Sequence, residues 1–162
     1  AGGVKVGIKD AEGVRQAFRQ IMQSSRAYKA DARLDGVLVQ QMAPKGREVI
    51  IGVKNDPVFG PTVLFGMGGI LTELMNDVSL RVCPLTLADV REMMSEVEGI
   101  RLLKGFRGQG PYDIAAVEQT LLKVSNLAFQ LKDRLVELDI NPLVVLPEGQ
   151  GVRAVDALVV LK

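Results

Sequence analysis

The chain has 162 residues, enough for one domain with a buried core of ordinary size. Apolar residues make up 48% and charged residues 24%, which excludes a disordered chain, and the longest apolar runs stop short of the roughly 20 residues a membrane-spanning helix needs. With 20 basic against 19 acidic side chains the net charge is +1, so no global field points to nucleic acid or a membrane surface, and any anion must be met by local groups.

The opening AGGVKVGIKD lacks a starter methionine and the charged-then-apolar profile of a signal peptide, and reads as a piece cut from a longer chain. Gly2 and Gly3 lead into a strand expected over Val4 to Lys9. Bare glycines let backbone N–H groups approach phosphate oxygens and Lys5 adds a point charge, while a plain turn accounts for the same pair. Asp10 then caps a helix predicted over 11–29, with Val14, Ala17, Phe18 and Ile21 at helical spacing for packing on a sheet. After the linker 30–35, GVLVQQMA reads as a strand, PKG as a tight turn and REVIIGVKND as its antiparallel partner. The turn-rich segment 56–61 leads into the strand PTVLFG, which ends in Gly66, Met67, Gly68 and Gly69.

Residues 77–85 make a further short strand, and Thr86 caps a helix over LADVREMMSEVEG that Gly99 is expected to close. A helical turn follows at 100–105, then the loop GFRGQGPYD, then a long amphipathic helix from Ile114 to Leu131 carrying Val117, Leu121, Val124 and Leu127. Two strands, about 134–146 and 152–161, finish the chain around PEGQG. Hairpins outnumber βαβ units, so the fold class is α+β, a largely antiparallel sheet with helices packed on it.

A single cysteine, Cys83, leaves no internal disulfide and fits the reducing cytoplasm. It sits in the apolar run VCPL as a structural thiol. The absence of histidine excludes a Ser-His-Asp triad and any histidine-ligated zinc within these residues. Oxygen donors are more informative. A hairpin turning near residues 148 and 149 pairs positions whose numbers sum to about 297, so Asn141 faces Asp156, and Asp139 shares their side of the strand by period-2 alternation. A few hard oxygen donors suit magnesium, which keeps several waters and completes its shell with substrate phosphates. The competing reading is a solvated face carrying Asp139 and Asp156, with Asn141-Pro142 as a strand kink.

Taken in order, AGGVKV at 1–6, VLVQQM at 37–42, EVIIG at 48–52, DPVFGPTVLFGMGG at 56–69, DINPL at 139–143 and VDA at 155–157 carry a family likeness over nearly the whole chain. The sequence resembles the ATP-grasp domain of the NDP-forming acyl-CoA synthetases, related to the β subunit of succinyl-CoA synthetase. The resemblance implies an N-terminally truncated ATP-grasp C-terminal lobe, with 1–34 a linking strand and helix and 35–162 the nucleotide- and metal-binding lobe. It implies Mg2+ and ATP/ADP as cofactors. Asn141 and Asp156 would be the metal ligands, and Asp139 would lie beside them near a docked phosphohistidine. Gly2 and Gly3 would end the phosphate loop, with Lys5 close behind, and Glu48 would face the nucleotide. Gly68 and Gly69, with Glu73 behind them, would form a second loop facing the shuttled phosphoryl group, although a tight turn explains the two glycines equally well, a solvated acid explains Glu73 better, and Glu48 is as readily a solvated acid. Relatives usually carry glutamate where Gln41 stands at the hinge over the adenine pocket, and Gln40 and Gln41 can still supply amide hydrogen bonds.

In the resembling enzymes a carboxylic acid, CoA and ATP react through an acyl phosphate, with a histidine carrying the phosphoryl group. This chain has no histidine, so the implied partners are the missing N-terminal lobe and the CoA-binding and ligase domains, with CoA and the acid bound there. Neither nucleic acid nor membrane is expected. The alternative is a degenerate, regulatory ATP-grasp module of a multidomain protein acetyltransferase, toward which Gln41 leans while Asn141 and Asp156 lean to catalysis. A sheet-edge docking surface for partner domains is a third reading.

Overall fold

In the computed structural model, which describes residues 1–68, 77–105 and 110–162, the chain separates into two units, Ala1–Met42 and Ala43–Lys162. The break falls after Met42, beyond the boundary expected at 34/35. The first unit is built on α1, Ala11–Tyr28. Asp10 is extended and its Oδ1 accepts from the Gly13 N–H at 2.8 Å, the N-cap that its position predicted. Ser24 Oγ lies 3.0 Å from the Gly2 carbonyl and 2.8 Å from that of Gln20, so its one proton is shared between the glycine pair and the helix.

The strands expected at 4–9 and 36–43 are not formed. The reason for the second lies in the supposed partner. β1, Arg47–Asp56, pairs antiparallel with β2, Gly60–Met67, on one edge and with β4, Leu135–Val145, on the other. A strand has only two edges, so none is left for 36–43. Apolar alternation marks a segment that can pair; the ladder forms only where a free edge meets it.

The second unit is one antiparallel sheet in the order β3, β2, β1, β4, with β5 and β6 both on the outer edge of β4. β3 spans Val78–Val82, β5 Val152–Ala154 and β6 Ala157–Leu161. Between β3 and β4 run α2, Leu87–Glu96, a 3-10 turn, Glu98–Leu102, and α3, Ile114–Gln130. Strict alternation along β1 buries Val49, Ile51 and Val53, which pair in register with Met67, Phe65 and Val63 of β2. Val90, Met93 and Met94 of α2 and Val117, Leu121, Val124 and Ala128 of α3 join the same buried cluster. One face of the sheet is therefore roofed by helices and the other is open. Among the described residues no helix is long and apolar enough to cross a membrane. Cys83 is buried, and burial pushes its thiol up from the usual range, as suits a structural thiol.

Thr86 and Asp89 form a reciprocal capping box, with the Thr86 N–H to Asp89 Oδ2 at 2.7 Å and the Asp89 N–H to Thr86 Oγ1 at 3.3 Å. α2 does not run to Gly99 as expected. It stops at Glu96, because Asp77 accepts from the N–H groups of Glu98 at 2.7 Å and Gly99 at 2.8 Å and so caps a fresh turn. Asp113 has two duties. It caps α3 by accepting from Ala116 N–H at 3.0 Å, and it pins the β4–β5 turn by accepting from Gly151 N–H at 2.8 Å. Asp113→Ala should cost about 1–2 kcal/mol in urea unfolding, and Asp113→Asn, which still caps, about half of that.

Candidate functional site

Along β1 and β4 the register runs Val49 to Leu143 and Ile51 to Ile140, so the single residue Ile50 opposes two, Asn141 and Pro142. This β-bulge resets the alternation. Leu138, Ile140, Leu143 and Val145 all reach the helix-covered side, while Asp139 and Asn141 project to the open face. Across the next ladder Leu143 pairs with Ala154 and Ile140 with Ala157, each a sum of 297, so Asn141 lies opposite Asp156 as the turn position predicted. Asn141 N–H donates to the Asp156 carbonyl at 3.2 Å and Val155 N–H to the Pro142 carbonyl at 3.1 Å, filling the gap between β5 and β6. Side chains so opposed have Cβ atoms roughly 5 Å apart.

Asp139 completes the group from the neighbouring position, facing Leu158 of β6. Its carboxyl titrates above the ordinary aspartate range, first because burial penalises the charged form, then because the carboxylates of Asp156 and Glu137 repel it. The register already places Asp139 and Asp156 close enough to share one local field. Gly52 stands opposite Asp139 and leaves the floor bare there: a Cβ on it would come within 3.9 Å of Asp139 Oδ1. Further along β1, Glu48 lies opposite Val144, and its carbonyl accepts from Gly68 N–H at 2.7 Å. An open depression of about 370 Å³ adjoins the pair, lined by Lys45, Gly46, Glu48, Pro142, Val144 and Val155.

The structure thus brings Glu48, Gly68, Asp139, Asn141 and Asp156 onto one sheet face. Gly2, Gly3, Lys5, Gln40 and Gln41 belong to the first unit, where Gly2 takes a left-handed φ of 68° and the side chains of Lys5, Gln40 and Gln41 are exposed. Gly69 and Glu73 lie outside the described residues. Sequence reasoning missed Gly52, for which a glycine inside a strand pattern was a usable signal. It also missed the depression, which draws on three separated segments.

Two carboxylates and an amide are hard oxygen donors, and a divalent cation among them would relieve the Asp139–Asp156 repulsion. Among the described residues no three acidic, histidine or cysteine side chains could close around an ion. A cation here would therefore keep open positions for water and phosphate oxygens, the habit of magnesium.

The family profile described as an ATP-grasp domain matches residues 1–161. The β subunit of the ADP-forming acetate–CoA ligase I of Pyrococcus furiosus is 47% identical over 161 residues, 99% of this chain and 68% of the relative. The acetyl-coenzyme A synthetase 1 of Ca. Korarchaeum cryptofilum, solved with coenzyme A, acetyl-coenzyme A and a phosphorylated phosphohistidine segment, superposes with a TM-score of 0.90 at 42% identity, covering 99% of this chain and 70% of that one. The same enzyme solved with coenzyme A and Mg-AMPPCP, its phosphohistidine segment pointing towards the nucleotide binding site, gives a TM-score of 0.85 at 41% identity, covering 99% and 68%.

Proposed function

Because this chain belongs to the ATP-grasp domain family, in the branch of the ADP-forming acyl-CoA synthetases, we propose that residues 43–162 form its nucleotide- and metal-binding lobe, with the site on the open face of β1, β4 and β6. The observation that carries this reading is the register that sets Asn141 against Asp156 with Asp139 alongside.

Asn141 Oδ1 and the Asp156 carboxylate would hold the magnesium ion, which supplies charge neutralisation to the nucleotide phosphates when bound. The depression beside them receives the nucleoside. Pro142, Val144 and Val155 offer apolar surface to a flat base, and Lys45 and Glu48 stand as polar groups beside it. Asp139 faces the incoming phosphoryl carrier. A carboxylate at that place accepts an imidazole N–H, fixing the ring's orientation and the nitrogen that carries the phosphoryl group. The roles that the resemblance implies for Gly2, Gly3, Lys5, Gln40, Gln41, Gly69 and Glu73 stay with this proposal.

The chain contains no histidine, so the carrier comes from another part of the enzyme, together with the N-terminal lobe and the domains that bind CoA and the carboxylic acid. A cytoplasmic location fits the single unpaired thiol. A degenerate regulatory module is favoured by Gln41 alone. The isolated 162 residues should form no acyl-CoA from acid, CoA and ATP in a coupled assay. Turnover by this chain unaided would show that the phosphoryl group travels without an external histidine, and the proposed division of the site between lobes would fail.

A further inference from the structure

We infer that Gly68 is a positioning residue that works through Glu48 and does not contact phosphate itself. The inference rests on the reading of the open face as the nucleotide site. Glycines after a strand suggest a loop whose free N–H groups cradle phosphate oxygens. At Gly68 that N–H is already engaged. It donates to the Glu48 carbonyl at 2.7 Å, extending the β1–β2 ladder one step beyond the Val49–Met67 pair.

Nor does a turn require glycine there, because Gly68 is not among the glycines with positive φ. What requires it is space. A Cβ on residue 68 would lie 2.8 Å from Glu48 Cβ, 2.9 Å from its carbonyl carbon and 3.0 Å from its carbonyl oxygen. Two of these three atoms are backbone and have no rotamer to move into. On its other flank Glu48 faces Val144, and both line the depression. The Glu48 side chain therefore rises between a valine and a bare backbone. Any side chain at 68 removes that berth and drives Glu48 toward Val144, into the volume assigned to the nucleoside.

The test is a double-mutant cycle in the assembled acyl-CoA synthetase, with Gly68→Ala, Glu48→Ala and both together, reading KM for Mg·ATP, kcat and melting temperature. Gly68→Ala should raise KM about tenfold with kcat changed less than about twofold; in the Glu48→Ala background the crowded backbone and Cβ remain but no carboxylate is left to misplace, so it should add less than about twofold to KM while lowering the melting temperature in both backgrounds. Effects that multiply, or a fall in kcat at constant KM, would mean that Gly68 acts on the phosphates directly and would overturn the inference. Asp156→Ala is the control for the underlying reading: if it leaves Mg·ATP kinetics intact, the site itself is misplaced, whatever Gly68 does. A second measurement needs no variant and survives a failure of Gly68→Ala to fold. The Gly68 amide of the unaltered enzyme should exchange slowly with and without Mg·AMPPCP, and protection that arises only with nucleotide would mark a phosphate contact and refute the assignment.

Discussion

Asp156→Ala is expected to abolish magnesium-dependent nucleotide binding while leaving the fold intact. Asp156 lies between β5 and β6, opposite Asn141 of β4, and supplies the charged oxygen ligand of that pair. Losing a residue that merely orients a metal ligand costs roughly 10–100-fold in affinity, and losing the charged ligand itself should cost more. Calorimetry with Mg·AMPPCP, run on the unaltered chain and the variant within the assembled enzyme, measures this. The accompanying stability signature separates a ligand from a structural carboxylate. Asp156 repels Asp139, whose carboxyl is held above its usual range by burial first and by that repulsion second. A raised native pKa means that the folded state holds the proton more tightly than the unfolded one. Metal-free stability therefore falls as pH rises through Asp139's native pKa, and the fall should be shallower in Asp156→Ala. The metal-free variant should melt no lower than the parent, and it should lose the stabilisation that magnesium and nucleotide give the parent by mass action. Undiminished binding in a well-folded Asp156→Ala protein would dismiss this residue as a ligand.

The register behind that prediction is readable from the sequence because it needs only local information. A turn centred near 148 and 149 and a period of two fix which residues of one hairpin meet, and Leu143–Ala154 and Ile140–Ala157 follow that rule. Helix starts are readable for the same reason. Asp10 and Thr86 each satisfy an N–H group three residues on, as their positions predicted. Pairing between distant segments is not readable. GVLVQQM carries the alternation of a strand, but β4, far along the chain, takes the edge of β1 that it was expected to fill. The end of α2 escapes sequence reasoning because its cause, the Asp77 carboxylate, lies a strand away from Glu98 and Gly99. Gly68 illustrates the same limit at the site. Its place in a glycine-rich run suggests a phosphate loop, whereas the contact with Glu48 comes from the neighbouring strand.

Phe65→Ala should destabilise this chain more than either Asp113→Ala or Asp156→Ala. Phe65 is fully buried on the helix-covered face of β2, where the register sets it between Ile51 of β1 and Ser79 of β3. Truncation removes the aromatic ring from a cluster that includes Met93 and Leu121, and strands pinned by ladders on both sides cannot collapse into the space. Phenylalanine-to-alanine changes at such places cost about 3–5 kcal/mol, against about 5–15 kcal/mol for the stability of a whole domain. Urea unfolding should show the midpoint falling steeply at an unchanged slope, and Phe65→Leu should recover most of the loss. The functional consequence separates the two faces of the sheet. Asn141 and Asp156 sit on β4 and beyond it, on the opposite side from the ring, so the folded fraction of Phe65→Ala should still bind magnesium and nucleotide with near-parental affinity. Asp156→Ala should do the reverse, keeping stability and losing the ligand. If both variants lost binding and stability together, the open face would not be separable from the core beneath it, and the division of labour between the two faces would fail.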